Sequence, residues 1–132
     1  VSVAEASYPE GLLYHPEHDW VKLDGSDATF GITWYAQDAL GEVVFFDPPE
    51  VGSEVGKDKP YAEVESVKAV SDVFAPLSGE IVEVNSAVAD SPETINADPY
   101  GEGWLVKVKL SDPAEADGLM DAGAYKELLE SQ

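Results

Sequence analysis

One lysine sits where a single amine can do chemistry. In Val64-Glu65-Ser66-Val67-Lys68-Ala69-Val70-Ser71-Asp72-Val73, β-branched residues lie on both sides of Lys68, and neither glycine nor proline interrupts the chain between Tyr61 and Ala75. That composition predicts two short strands, over 61–67 and 69–74, meeting at the lysine. A lysine on the tip of a stiff hairpin is either an ordinary solvated cation or a protruding amine offered to a modifying enzyme. Acylation would convert it to a neutral amide and remove one positive charge.

The other reactive side chains are less organised. His15 and His18 stand at i, i+3 beside Glu17 and Asp19, but as two histidines near a chain end they read as solvated or capping groups, and no metal site is expected. Ser66 and Ser71 flank the lysine without a histidine nearby in sequence to act as a base, so a serine nucleophile has little support. Cysteine is absent, so sulfur redox chemistry would have to come from a cofactor. The glycines are scattered at turns rather than gathered into a phosphate loop. Trp20, Trp34 and Trp104 are predicted to fill the core, with an indole N–H bonded at its margin.

The bulk properties narrow the partners. At 132 residues the chain fits one domain with one modest core. Its formal charge is -20, from 27 acidic residues against seven lysines and no arginine, which repels phosphate backbones and anionic lipid heads. Nucleic acid and membrane surfaces are therefore not expected, whereas a basic protein partner is; solubility or a salty environment would account for the charge equally well. Residues 1–10 are acidic, with neither a basic nor an apolar segment, and do not read as a targeting peptide. The chain starts without methionine and so reads as processed or trimmed. No apolar run approaches the roughly 18 residues of a membrane span.

The elements that must position Lys68 are short and well punctuated. Strands are predicted over 20–23 and 28–32, joined by an Asp24-Gly25-Ser26-Asp27 hairpin turn. Thr33 offers a capping hydroxyl to a short helix over 34–40, and Gly41 ends it. The apolar run Val43-Val44-Phe45-Phe46 suits a buried strand, stopped by Pro48-Pro49. Further strands are predicted over 80–85 and 104–110, the latter with Trp104, Val106 and Val108 on one face and Leu105, Lys107 and Lys109 on the other. Between them 86–103 shows no periodicity and reads as a long loop. Asp112-Pro113-Ala114-Glu115 opens a helical region, with Tyr125, Leu128 and Leu129 at i, i+3 and i+4. The expected fold is mainly β: a flattened barrel or sandwich of short antiparallel strands with a short internal helix and C-terminal helices. Residues 1–132 form one domain, with 1–11 a flexible N-terminus and 112–130 a helical cap.

The turns Gly52-Ser53-Glu54-Val55 and Pro76-Leu77-Ser78-Gly79-Glu80-Ile81 flank the lysine hairpin, and here a resemblance enters. Glu65-Ser66-Val67-Lys68-Ala69 resembles the lipoyl attachment segment of glycine cleavage system H proteins. Tyr14-His15-Pro16-Glu17-His18-Asp19-Trp20-Val21 looks like the opening segment of that family. Gly31-Ile32-Thr33, Leu40-Gly41-Glu42-Val43-Val44-Phe45 and Asp98-Pro99-Tyr100-Gly101-Glu102-Gly103-Trp104 follow the family pattern in order, so the resemblance runs over roughly 12–130. Two positions depart from it: Asp19 stands where the family commonly has glutamate, and Trp34 where it usually has aspartate.

The resemblance implies a lipoyl/biotinyl-type hybrid fold and a carrier rather than an enzyme. Lys68 would bear lipoic acid in amide linkage, attached by a lipoate-attaching enzyme, with Glu65, Ser66, Val67 and Ala69 as its motif. The arm would take an aminomethyl group from a pyridoxal-phosphate glycine decarboxylase, the P protein. It would present that group to a tetrahydrofolate-dependent aminomethyltransferase, the T protein, and be reoxidised by dihydrolipoyl dehydrogenase, the L protein, with FAD and NAD. A loaded carrier benefits from a cleft that excludes water, and Asp19 and Asp72 are expected to line it and meet a protonated amine. A monomer is expected, in the cytoplasm of a bacterium or archaeon, or in the mitochondrial matrix if a presequence has been removed. Three other readings stay open: a lipoyl relay protein, a lipoyl domain of a 2-oxoacid dehydrogenase, and an unmodified acidic interaction module.

Overall fold

Antiparallel pairing between neighbours in the chain builds most of the molecule. A computed structural model describes residues 8–131; residues 1–7, most of the expected flexible 1–11 segment, and residue 132 lie outside the described residues. Strands β1 (Leu13–His15), β2 (Asp19–Asp24) and β3 (Asp27–Ile32) form a meander, the second turn closing at Gly25 with φ 64°. The short helix α1 (Trp34–Leu40) follows as its caps foretell: Thr33 Oγ1 accepts from Ala36 N at 3.3 Å and Gly41 N donates to Gln37 O at 2.9 Å.

Strands β4 (Val43–Asp47), β5 (Glu54–Val55), β6 (Pro60–Ser66), β7 (Val70–Phe74) and β8 (Gly79–Val84) come next. After β8 the chain makes helices α2 (Ser86–Asp90) and α3 (Thr94–Ala97), then β9 (Val106–Leu110), a 3-10 turn (Pro113–Gly118) and α4 (Ala122–Glu130). One sheet runs β1-β2-β3-β9-β8-β5 and the other β4-β6-β7. Neither closes on itself, so of the two expected forms the protein takes the sandwich.

The facing sides of the two sheets make the core. Phe30, Ile81, Val106 and Val108 from the larger sheet meet Val43, Phe46, Val64 and Val73 from the smaller one, all buried. Each such side chain contributes about 1.5–3 kcal/mol on removal from water. A second cluster sits at one end, where α4 lays Tyr125 on Tyr14 with rings stacked at 4.8 Å, beside Trp20. Leu128 and Leu129 pack on the same cluster, as their spacing requires.

Three expectations need correction. The 86–103 stretch holds two helices rather than one loop. At five and four residues they are too short to display an apolar period, yet Asn85 caps the first by accepting from Ala87 N at 3.1 Å, and Val88 and Ile95 anchor them in the core. Leu105 is buried and not on a polar face, because the strand begins only at Val106 and Leu105 N instead donates to Phe30 O at 2.9 Å. Of the three tryptophans only Trp20 is fully buried, its Nε1 donating to Pro99 O at 2.9 Å; Trp34 and Trp104 are half-buried.

Candidate functional site

Strands β6 and β7 turn at Ser66-Val67-Lys68-Ala69, which puts Lys68 at the exposed tip of their hairpin. Ser66 makes the turn stiff. Its backbone N donates to Ala69 O at 2.8 Å, and its buried Oγ accepts from Ala69 N at 3.1 Å and from Lys68 N at 3.3 Å. Ser66 is thus the fastener of the loop, and its hydroxyl is engaged by backbone rather than poised as a nucleophile. Glu65, Val67 and Ala69 are exposed around the amine. Val67 N also donates to Glu42 O at 3.2 Å, which ties the tip to the segment after α1.

The stem of Lys68 lies against the end of that helix. A Cβ built on Gly41 would stand 3.5 Å from Lys68 Cε and 4.0 Å from Nζ. From there α1 forms one wall of a cleft of about 200 Å³, with Tyr35, Ala36, Ala39 and Leu40 on the helix side, Val64, Ser71, Asp72 and Val73 on the hairpin side, and Ile32 with them. Glu17, His18 and Asp19 close its far end. A seven-residue helix is about 10 Å long; Thr33 N at its start donates to His18 O at 3.0 Å and Gly41 at its end meets Lys68, so the lysine and Asp19 lie toward opposite ends of α1.

Asp19 ends the trough as a fully buried carboxyl. Burial, with a smaller push from the Glu17 charge, holds it well above the usual carboxylate range. Among the described residues its Oδ2 has no hydrogen-bond partner, and the nearest basic atom is His15 Nδ1 at 4.0 Å. That nitrogen already accepts from Glu17 N at 3.1 Å, so the ring proton sits on Nε2 and is shared with Asp58 Oδ1 at 2.5 Å. The hydrogen bond from His15 in turn lowers the Asp58 carboxyl. Asp72 also lines the cleft, but from its rim: it is exposed and stands opposite Glu63, on the outer side of β7 from the buried Val73. The two expected acids therefore share one cleft, one as floor and one as lip.

His18 belongs to this wall too. It has φ 74°, packs its ring on Tyr35 with centroids 4.5 Å apart, and shares a hydrogen bond between Nδ1 and Tyr125 Oη at 2.7 Å. Tyr125 Oη is in turn 2.9 Å from Thr33 Oγ1, so a chain of hydroxyls joins the cap of α1 to the ring. Neither the type nor the spacing of Asn96 marks it in the sequence, yet it fixes the end of α1 beside the lysine. Its Nδ2 donates to Gln37 Oε1 and to Gly41 O, both at 2.9 Å, and its Oδ1 accepts from Val43 N at 2.8 Å.

The residues fit a lipoyl group. The walls of the cleft are mostly aliphatic, as a hydrocarbon tether requires, and the orphaned Asp19 oxygen suits a cationic donor at the end of such a tether. A two-sheet sandwich that presents one lysine on a hairpin tip beside an apolar trough has the build of a carrier domain for a tethered acyl cofactor.

The comparisons with known proteins are specific. The family model described as "Glycine cleavage H-protein" matches residues 12–132. A glycine cleavage system H protein of Symbiobacterium thermophilum is 53% identical over 120 residues, 91% of this chain and 94% of that protein. A mitochondrial one from Flaveria pringlei is 54% identical over 127 residues, 96% of this chain and 78% of that protein. The crystal structure of a glycine cleavage system H protein from Mycobacterium marinum superposes with a TM-score of 0.85 at 41% identity, covering 92% of this chain and 98% of that one. The chain belongs to the glycine cleavage H-protein family.

Proposed function

We propose that Lys68 is the lipoyl attachment residue and that the trough ending at Asp19 shelters what the arm carries. The chain itself is a lipoyl carrier of the glycine cleavage system and not a catalyst, and its family implies a lipoyl cofactor. One observation supports the assignment to Lys68 above the rest: its stem rests on Gly41, just past the helix that walls an apolar cleft, and that cleft is also lined by a buried carboxyl with no partner among the described residues.

Bound there in amide linkage, the lipoyl group supplies a disulfide able to take up a one-carbon aminomethyl unit and two electrons. The residues of this chain do the rest. The α1 and hairpin walls exclude water, which would otherwise hydrolyse a reactive cargo. Asp19 Oδ2 accepts a hydrogen bond from a protonated amine and, with that cation beside it, gives up its own proton. Asp72 stands only at the rim, on the outer side of β7 from the buried Val73. The partners follow from the reading: a glycine decarboxylase, an aminomethyltransferase and dihydrolipoyl dehydrogenase, each reaching the arm in turn, and an enzyme that attaches it. Residues 1–132 act as one carrier unit, with 112–130 as its cap. No helix among the described residues is long and apolar enough to cross a membrane. The working compartment is the cytoplasm or the mitochondrial matrix, according to source.

Intact mass after incubation with lipoate, ATP and a lipoate-attaching enzyme tests the assignment. A single lipoyl addition is expected on the parent and none on Lys68→Arg. No addition to the parent, or an addition that survives Lys68→Arg, overturns it.

A further inference from the structure

Two rows of side chains cross the outer face of the β4-β6-β7 sheet. Phe45 pairs with Glu65 and Glu65 with Val70; one step further from the tip, Asp47 pairs with Glu63 and Glu63 with Asp72. Directly opposed residues project to the same face, and all six are exposed while Phe46, Val64 and Val73 turn into the core. A β-bulge extends the first row. The pairing slips between Val43 and Phe45, so that Val44 and Phe45, consecutive in sequence, are both about half exposed beside the hairpin. With Val67 and Val70, exposed to 69% and 59%, they make an apolar collar next to Lys68.

Folding gives no reason for either row. An exposed aromatic and three valines gain nothing from water, and three carboxylates opposed across neighbouring strands repel one another. Among the described residues no ion pair involves Asp47, Glu63 or Asp72. A partner that is apolar at its centre and basic at its edge would relieve both.

We propose that this outer face is the docking surface for the enzyme that acylates unmodified Lys68. The proposal rests on the reading of Lys68 as the attachment residue. Length argues for this partner: a bare lysine amine extends only as far as its own side chain, so the acylating enzyme has to seat itself on the tip, whereas a long acyl arm can be met at a distance. Charge argues for it too, since a chain of formal charge -20 steers a basic surface toward itself. In the step served, deprotonated Nζ attacks the carbonyl carbon of an acyl adenylate. The new C–N bond replaces the C–O bond to phosphate, AMP leaves with that electron pair, one proton leaves the nitrogen, and nothing is oxidised or reduced.

The test follows lipoyl mass on the apo chain with lipoate, ATP and a purified lipoate–protein ligase. The pair Phe45→Ser with Val70→Ser should lower kcat/KM at least tenfold, chiefly through KM. Asp47→Lys with Glu63→Lys should lower it at least fivefold and flatten its fall with added salt. Leu23→Ser, which removes an exposed apolar side chain from the other sheet, should leave it unchanged. Competition keeps the test decisive if a variant is less stable. Lys68→Arg with an intact face should inhibit labelling of the parent, and the same chain carrying Phe45→Ser and Val70→Ser should not. Variant rates within twofold of the parent, or equal inhibition by both competitors, overturn the docking face alone. A parent that takes up no lipoyl mass overturns the reading of Lys68 and this proposal with it.

Discussion

Lys68 rests on Gly41. The glycine has φ 84° and ψ -158°, a region open to little else, and a Cβ there would meet Lys68 Cε at 3.5 Å, an ordinary contact distance. The cost of adding that Cβ therefore lies in the backbone and not in a clash with the lysine.

Gly41→Ala is accordingly expected to lower stability by about 1–3 kcal/mol in urea unfolding, the usual cost of forcing a side chain into this region. Removing the lysine stem with Lys68→Ala in the same background should recover none of it. Recovery of most of the loss would mean that the lysine, and not the backbone, had been displaced.

Asp19 gives the stability of the chain a pH dependence of unusual sign. Its folded carboxyl is held above the ordinary range by burial, so between the unfolded value near 4 and its folded value the native state binds more protons than the unfolded one. The contribution is complete below about pH 4 and is lost as pH rises, with a slope of at most about 1.4 kcal/mol per unit. Asp19→Asn removes that slope. The variant should gain on the parent as pH rises above about 5 in matched denaturation curves, and a difference that stays constant from there upward would show that Asp19 ionises as an ordinary carboxylate.

His18 runs the other way. Burial lowers its pKa against a smaller rise from Glu17, and its Nδ1 is already committed to the Tyr125 hydroxyl. A depressed folded value means that the native state resists protonation, so this contribution is present above about pH 6.5 and is lost as pH falls through the folded value. Ring proton shifts followed by NMR should place the His18 midpoint below 6.5, and Tyr125→Phe should move it. A midpoint at or above 6.5 in the parent would contradict the buried, hydroxyl-bonded ring.

Much of this was legible in the sequence wherever the cause is local. The Asp24-Gly25 turn, the Thr33 and Gly41 caps and the strands meeting at Lys68 all depend on residues within a few positions of one another. What escaped depends on distance. Glu115 has the position of a first-turn glutamate, but its carboxylate accepts from Ser78 N at 2.8 Å and Ser78 Oγ at 3.0 Å, 37 residues away. Leu105 follows an alternating pattern outward until the edge of the actual strand turns it in. Asp19 is marked by the family position it occupies and Asp72 by its place in the lysine hairpin, and only folding makes one the end and the other the rim of a common cleft.

Asn96 is the sharpest case of a residue whose work is invisible locally. Sitting in a four-residue helix, it satisfies Gly41 O, Gln37 Oε1 and Val43 N, three groups at the seam between α1 and β4. Asn96→Leu would keep the volume and strand these groups, each costing about 1–3 kcal/mol where water cannot replace the amide. A loss of about 2–4 kcal/mol is expected, together with faster hydrogen exchange at Val43 and Gly41. Because Gly41 carries the lysine stem and Val67 N bonds Glu42 O, the same loosening should reach the hairpin tip and raise exchange at Val67. Asn96→Asp keeps the acceptor for Val43 N but no donor, so it should protect Val43 while leaving Gly41 O unpaired. If Asn96→Leu instead unfolds at the parent's urea midpoint with Val67 exchange unchanged, the seam does not hold the tip, and the fastening of Lys68 falls to Ser66 alone.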